Sequence, residues 1–257
     1  MLPDSVPCLR SMLIDLHTHT KPLSWDSYLA PDELIERSKA AGLDAICLSE
    51  HDFFWKPEEV AELARRHDYL VLPAIEINTD DGHILAYGLD KYVYGMHRSH
   101  ELAHHIEQAG GAMVAAHPYR RQMPWYMESD RDYQDALSRA SRNPAYRYCM
   151  ALEAINGRGT QKENEFSQRL CEVMGMWATA GSDAHARIDV GRCASVLVRR
   201  FRKPESSGSE RPAPTPPTPK LALAASGSQP FILTGAKTRR SGCALPDVES
   251  PATACQR

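Results

Sequence analysis

Leu13–Thr20 reads LIDLHTHT, a short apolar strand with one embedded acid that runs into two histidines two positions apart. The same order, an apolar run closed by an imidazole or a carboxylate, recurs along the chain. Asp44–Leu48 (DAICL) leads to Ser49-Glu50-His51-Asp52, and Tyr69–Ile77 (YLVLPAIEI) carries Glu76 near its end. Ala112–Ala116 (AMVAA) leads to His117-Pro118, and Trp177–Ala180 leads through Gly181-Ser182 to Asp183-Ala184-His185. His83–Leu89, Cys149–Ile155 and Ala194–Val198 supply further strands. Helical patterns lie between them: Pro31–Ala41, with acids in its first turn and Gly42 just past its end, then Pro57–Arg66, His97–Ala109, Asp130–Ser141 and Lys162–Met174. Strands alternating with crossover helices predict a parallel α/β fold. With no glycine-rich nucleotide turn, a barrel is favoured over an open doubly wound sheet.

In a parallel barrel the C-terminal strand ends converge on one face. His17, His19, His51, Glu76, His117, Asp183 and His185 are therefore expected in one pocket. His83 departs from the rule, opening its strand after the Asp80-Asp81-Gly82 turn. Imidazole mixed with carboxylate suits Zn, Mn or Fe better than Ca or Mg alone. In extended chain, residues i and i+2 point the same way, so His17 and His19 can grip one ion. Asp183 and His185 can do the same or span two ions, and Glu76 can bridge two through its two oxygens. Each element alone is a weak signal; their joint appearance at successive strand ends points to a multi-metal site. Bridged cations lower the pKa of a shared water and stabilise phosphoryl oxygens.

This set resembles the polymerase and histidinol phosphatase (PHP) family. The matching pieces are DLHTHT (Asp15–Thr20), SEHD (Ser49–Asp52), AIEIN around Glu76, GHILAYGL (Gly82–Leu89), AHPYR (Ala116–Arg120) and GSDAH (Gly181–His185), in the family's order. The resemblance implies a distorted, TIM-like (β/α)7 barrel over residues 12–202. It also implies two to three divalent metal ions (Zn, Mn or Fe) and hydrolysis of phosphate esters by a metal-bridging hydroxide. Carried over, His17, His19, Glu76 and Asp183 hold the first metal, and Glu76, His117 and His83 the second. His51 and His185 hold the third, together with an acid from the loop after His19. That loop lacks the family's Ser-Asp-Gly and reads Lys21-Pro22-Leu23-Ser24-Trp25-Asp26-Ser27; Asp26 is the candidate. A metal-bound water or a histidine, His51 or His185, is the expected proton donor to the leaving alkoxide. Arg120, Arg121 and Arg158 are candidate phosphate clamps, and Asp52 is a candidate to orient His51 or its loop. His97, His100, His104 and His105 lie on a helical pattern and are expected at the surface; His67 is expected to complement a helix end.

Composition narrows the partners. The chain has 257 residues, a net charge of −3, no basic stripe for long nucleic acid and no apolar run of membrane-spanning length. The substrate is expected to be a small phosphomonoester or nucleotide, with no membrane and no protein partner evident. Seven cysteines without a C-x-x-C and no apolar N-terminal segment predict a reducing, cytoplasmic setting, with Cys47 and Cys149 as core fillers. Residues 1–11 read as a dispensable extension. Residues 203–257 hold 9 of the 18 prolines and read as a disordered tail, which leaves the barrel without its last helix. An amidohydrolase-like hydrolase, which also opens with H-x-H, and a metal-binding scaffold without activity are the alternative readings.

Overall fold

The computed structural model describes residues 10–199, apart from Trp125 and Met127, and residues 232–238. The strands are β1 (Arg10–Thr18), β2 (Ala45–His51), β3 (Leu70–Thr79), β4 (Gly82–Tyr87), β5 (Ala112–Ala115), β6 (Ala151–Asn156), β7 (Trp177–Gly181), β8 (Cys193–Arg199) and β9 (Ile232–Thr238). The helices are α1 (Pro31–Ala40), α2 (Pro57–His67), α3 (Ser99–Gln108), a single turn α4 (Tyr119–Gln122), α5 (Asp130–Ala140) and α6 (Gln161–Met174). Their ends follow local chemistry. Pro31 and Pro57 stand in the first turns of α1 and α2, and Thr160 and Ser129 form capping boxes with Glu163 and Asp132.

All nine strands form one sheet in the order β7-β6-β5-β4-β3-β2-β1-β8-β9. Strands β1, β2 and β3 are mutually parallel, as are β5, β6 and β7. Strand β4 runs antiparallel to both β3 and β5, and β8 antiparallel to β1. The expected distorted α/β barrel is observed, with these two strands antiparallel, and the distortion has a local cause. The two-residue Asp80-Asp81 turn, closed by Thr79 opposite Gly82 (φ 133°), makes a hairpin where a crossover helix would otherwise lie. Because β4 is reversed, its first residues stand where the other strands end. That places His83 at the common mouth.

The sheet curls until β7 lies against β1, β8 and β9. Residues Arg10–Ile14 of β1 are occupied by β8, which leaves the downstream end of β1 free. The chain after β7 zips onto that end: Asp183 N–H donates to His17 O at 2.8 Å and His19 N–H to Ala184 O at 3.0 Å. The barrel is thus closed at its mouth by the His17-Thr18-His19 and Asp183-Ala184-His185 segments themselves. Apolar residues of opposite parity pack on opposite faces. Leu85 and Tyr87 join Cys47, Ala74 and Val114 in one cluster, while Ile84 and Ala86 join Leu102, Ile106 and Phe166 in another. Helices α1 and α2 cover Ile46, Leu48 and Val71 with Leu34, Ile35, Val60 and Leu63. Cys47, Cys149, Cys171 and Cys193 are free and buried.

Two boundary expectations change. Arg10 and Ser11 are part of β1, in register with Arg199 and Val198, so the extension does not end at residue 11. Ile232–Thr238 pairs antiparallel with β8, so this piece of the proline-rich tail is a strand; the rest of the tail lies outside the described residues. Among the described residues no helix follows β8, and none is long and apolar enough to cross a membrane.

Candidate metal centre

Five buried side-chain atoms at the barrel mouth lack a well-directed hydrogen bond: Asp26 Oδ1 at its edge and, deeper, four atoms, His17 Nε2, His19 Nε2, Glu76 Oε2 and Asp183 Oδ1. The four face one another. His17 Nε2 is 3.4 Å from Glu76 Oε2 and 3.6 Å from Asp183 Oδ1; for His19 Nε2 the distances are 3.4 and 3.3 Å. Metal–ligand bonds of about 2.1 Å at tetrahedral angles separate donors by about 3.4 Å, so these spacings fit a first coordination shell. Two imidazole nitrogens and two carboxylate oxygens also suit a borderline cation. The residues present therefore fit the metal that the sequence pattern implies.

The other expected ligands continue outward from Glu76. Its Oε1 lies 2.8 Å from both His83 Nδ1 and His117 Nε2. Its Oε2 lies 2.8 Å from His51 Nδ1. At the outer edge, His51 Nε2 and His185 Nε2 are 3.3 Å apart, and Asp26 Oδ2 is 3.5 and 3.1 Å from them. His185 keeps Nδ1 on the Asp183 carbonyl at 2.8 Å, which leaves Nε2 to the site. All nine sequence-predicted ligands are brought into one continuous cluster. Its groupings are His17-His19-Glu76, His17-His117-Asp183, Glu76-His83-His117 and His19-His51-His185.

Asp26 reaches the site without the family's glycine because serine hydroxyls fold the loop. Ser24 Oγ donates to Glu50 at 2.5 Å, Ser27 Oγ donates to His19 O at 2.8 Å, and Tyr28 N–H donates to His185 O at 2.8 Å. Two site residues adopt left-handed backbone, His117 at φ 26° and Asp183 at φ 53°. Side chains other than glycine rarely hold that conformation unless their surroundings impose it.

Electrostatics follow from packing ions without water. Burial alone would lower His17, but Glu153, Asp183 and Glu76 outweigh it and raise its pKa well above the usual imidazole range. Burial likewise opposes ionisation of Glu76 and Asp183, and the histidines, His17 foremost, overcome it, so both titrate well below ordinary carboxylates. His19, where burial prevails, is lowered to about 3. Buried Asp15, beside the site, is pushed up to about 7 despite accepting from the Ser182 and His17 N–H groups.

The arginines divide. Arg120 is committed to the cluster: its guanidinium reaches Asp183 Oδ2 at 2.5 Å and His117 Nε2 at 3.2 Å. Arg121, expected beside substrate, instead donates to Asn78 Oδ1 (2.8 Å) and to the carbonyls of Thr79 (3.2 Å) and Asp80 (3.4 Å). Both arginines line a cavity of about 60 Å³ beside His83 and His117. Arg158 is exposed, anchored only by its backbone N–H to Asn156 Oδ1 at 3.0 Å, with its positive charge felt at His185. Asp52 does not orient His51. Its carboxylate accepts from Asn78 N–H at 3.0 Å and ties the loop to β3. His67 bridges Asp32 and Glu36 of α1 at 2.7 and 2.8 Å, and His100 and His104 are exposed.

Sequence reading passed over the acids that hold the ligands in place. Glu50 accepts from Thr20, Ser24 and Trp55, and Glu153 accepts from His17 and His117. Their signal was available: a charged residue inside an apolar strand is buried and must find partners.

The PHP domain model matches residues 15–176, more than half of the chain, and a PHP-associated model matches residues 161–206. The chain belongs to the PHP domain family. An uncharacterized protein of Methanocaldococcus jannaschii is 26% identical over 117 residues, which are 42% of this chain and 68% of that protein. Among solved structures, a two-domain protein from Bacteroides vulgatus containing a predicted PHP-like metal-dependent phosphoesterase has a TM-score of 0.52 at 19% identity. The match covers 77% of this chain and 61% of that one. An amidohydrolase from Chromobacterium violaceum has a TM-score of 0.51 at 20% identity, covering 69% and 89%. These similarities speak to the fold. Membership in the PHP family together with the donor set supports a metal-dependent hydrolase.

Proposed function

We propose that this chain hydrolyses phosphate esters, small phosphomonoesters or nucleotides, with two to three Zn, Mn or Fe ions at the barrel mouth. The observation that carries the reading is the set of four buried donor atoms of His17, His19, Glu76 and Asp183 that face one another at coordination distances. Divalent ions held there would polarise phosphoryl oxygens and supply nucleophilic water at neutral pH. The chain's own groups do the rest. His83 and His117 share Glu76 with the first group, and Asp26, His51 and His185 hold the outer edge. His51 is the more open of that outer pair, with 21% of its side chain exposed against 6% for His185. It is therefore placed to pass a proton to a departing alkoxide. Arg120 offsets carboxylate charge from within, and Arg158 presents a free guanidinium to an arriving phosphate. Trp25, Tyr28 and Phe53, which flank Asp26 and His51 in sequence, are exposed.

The test is phosphate release from a panel of sugar phosphates, histidinol phosphate and nucleotides, with protein loaded in turn with Zn, Mn and Fe. Activity is expected with at least one metal and is expected to vanish in a His17→Ala, Asp183→Ala double variant. Full activity in that variant would overturn the reading.

A further inference from the structure

Glu153 stands in the middle of β6, whose residues Ala151–Ala154 are all buried, and is 1% exposed. A carboxylate placed there needs donors on both oxygens. It has them. Oε1 lies 2.9 Å from His17 Nδ1. Oε2 accepts from the His117 backbone N–H at 2.8 Å and from Asn156 Nδ2 at 3.0 Å. The same Asn156 nitrogen donates onward to Asp183 Oδ2 at 3.2 Å. One buried acid thereby reaches three members of the cluster by three routes: the His17 ring, the left-handed His117 backbone and, through Asn156, the Asp183 carboxylate.

We propose that Glu153, seconded by Asn156, is the positioning residue that sets the metal affinity of the first site. The proposal rests on the reading of His17, His19, Glu76 and Asp183 as metal ligands. When a cation displaces the Nε2 proton, Oε1 would keep the remaining proton of His17 on Nδ1 and leave Nε2, the atom aimed at Glu76 and Asp183, as the ligand. Gly181 makes the close approach possible. A Cβ at that position would meet His17 Cβ at 2.5 Å and Glu153 Oε1 at 2.6 Å.

Glutamine cannot replace this carboxylate without loss, because both oxygens face N–H donors. Turned one way, its amide NH2 opposes the His117 N–H and the Asn156 amide. Turned the other way, it donates to His17 Nδ1, so the proton moves to Nε2 and blocks the ligand atom. The experiment is titration of Zn and of Co(II) into metal-free wild type, Glu153→Gln and Asn156→Ala. The Co(II) visible bands report the ligand field, and circular dichroism reports folding. Glu153→Gln is expected to bind metal about 10–100-fold more weakly at the tightest site, with altered Co(II) bands. Asn156→Ala keeps the His17 contact and is expected to lose about fivefold; it decides the matter if Glu153→Gln does not fold. Wild-type affinity and bands in the folded variants would overturn the role of Glu153. A wild type that binds no metal would overturn the ligand reading beneath it.

Discussion

Stripping metal from the centre should destabilise the whole barrel. In the metal-free molecule His17 Nε2, His19 Nε2, Glu76 Oε2 and Asp183 Oδ1 are buried without directed partners. Each such atom costs up to about 1–3 kcal/mol; the ion pairing of His17 with Glu76 and Asp183 and the His51 contact on Glu76 offset part of this, and a bound ion can relieve the rest. Mass action gives an independent scale: free metal at 1,000 times its Kd stabilises the folded state by about 4 kcal/mol. For a domain of this size each kcal/mol moves Tm by about 2–4 °C, so chelation should lower Tm by about 8–16 °C. The assay is differential scanning calorimetry of metal-loaded protein, of chelator-treated protein and of the latter with Zn restored. His17→Ala should melt at a temperature that the chelator hardly changes. The centre is also where the barrel closes, through the bonds of Asp183 to His17 and of His19 to Ala184, so the effect should appear in the main transition. A wild-type Tm unmoved by chelator and by restored Zn would refute the inference that these atoms await a cation.

Asp15 should make metal-free protein less stable as pH rises. Its folded pKa near 7 lies above the ordinary 3.8, so its contribution is fully present below about pH 4 and falls away up to about pH 7, by about 4 kcal/mol in all. Asp15→Asn should flatten that slope in urea unfolding of chelated protein, and an unchanged slope would count against it. Phe166→Ala should cost about 3–5 kcal/mol by urea unfolding, since Phe166 is fully buried and packs edge-on to Tyr133 at 5.7 Å. Arg158→Ala should raise KM about tenfold or more with metal content intact. Arg120→Ala, which takes a cation away from Asp183 and His117, should tighten metal binding; equal metal affinity in the two variants would contradict that division of roles.

Much of the architecture was legible because the signals were local. Pro31 and Gly42 bracket α1, and apolar runs of strand length end in histidine or acid. The i, i+2 spacing of His17 and His19 needs no tertiary knowledge to place both on one face. What escaped was non-local. The reversal of β4 depends on a hairpin whose two flanking strands are both apolar. Strand β9 is a short apolar stretch inside a proline-rich tail, and only its register on β8 marks it. Arg121 carries the same charge as Arg120 and follows it directly, yet the α4 turn sends it to the hairpin.

Sequence by itself determined the chemical identity of the centre: which nitrogens and oxygens exist, and at which strand ends they are carried. Tertiary structure alone decided how they are shared and supported. It turned Glu76 into the acid touching five histidines and let serines replace a glycine in presenting Asp26. It also set Glu153 and Asn156 behind three of the ligands. The reason is physical. A donor's identity belongs to one residue, whereas its direction, tautomer and ionisation depend on partners tens of residues away that meet only when the barrel closes.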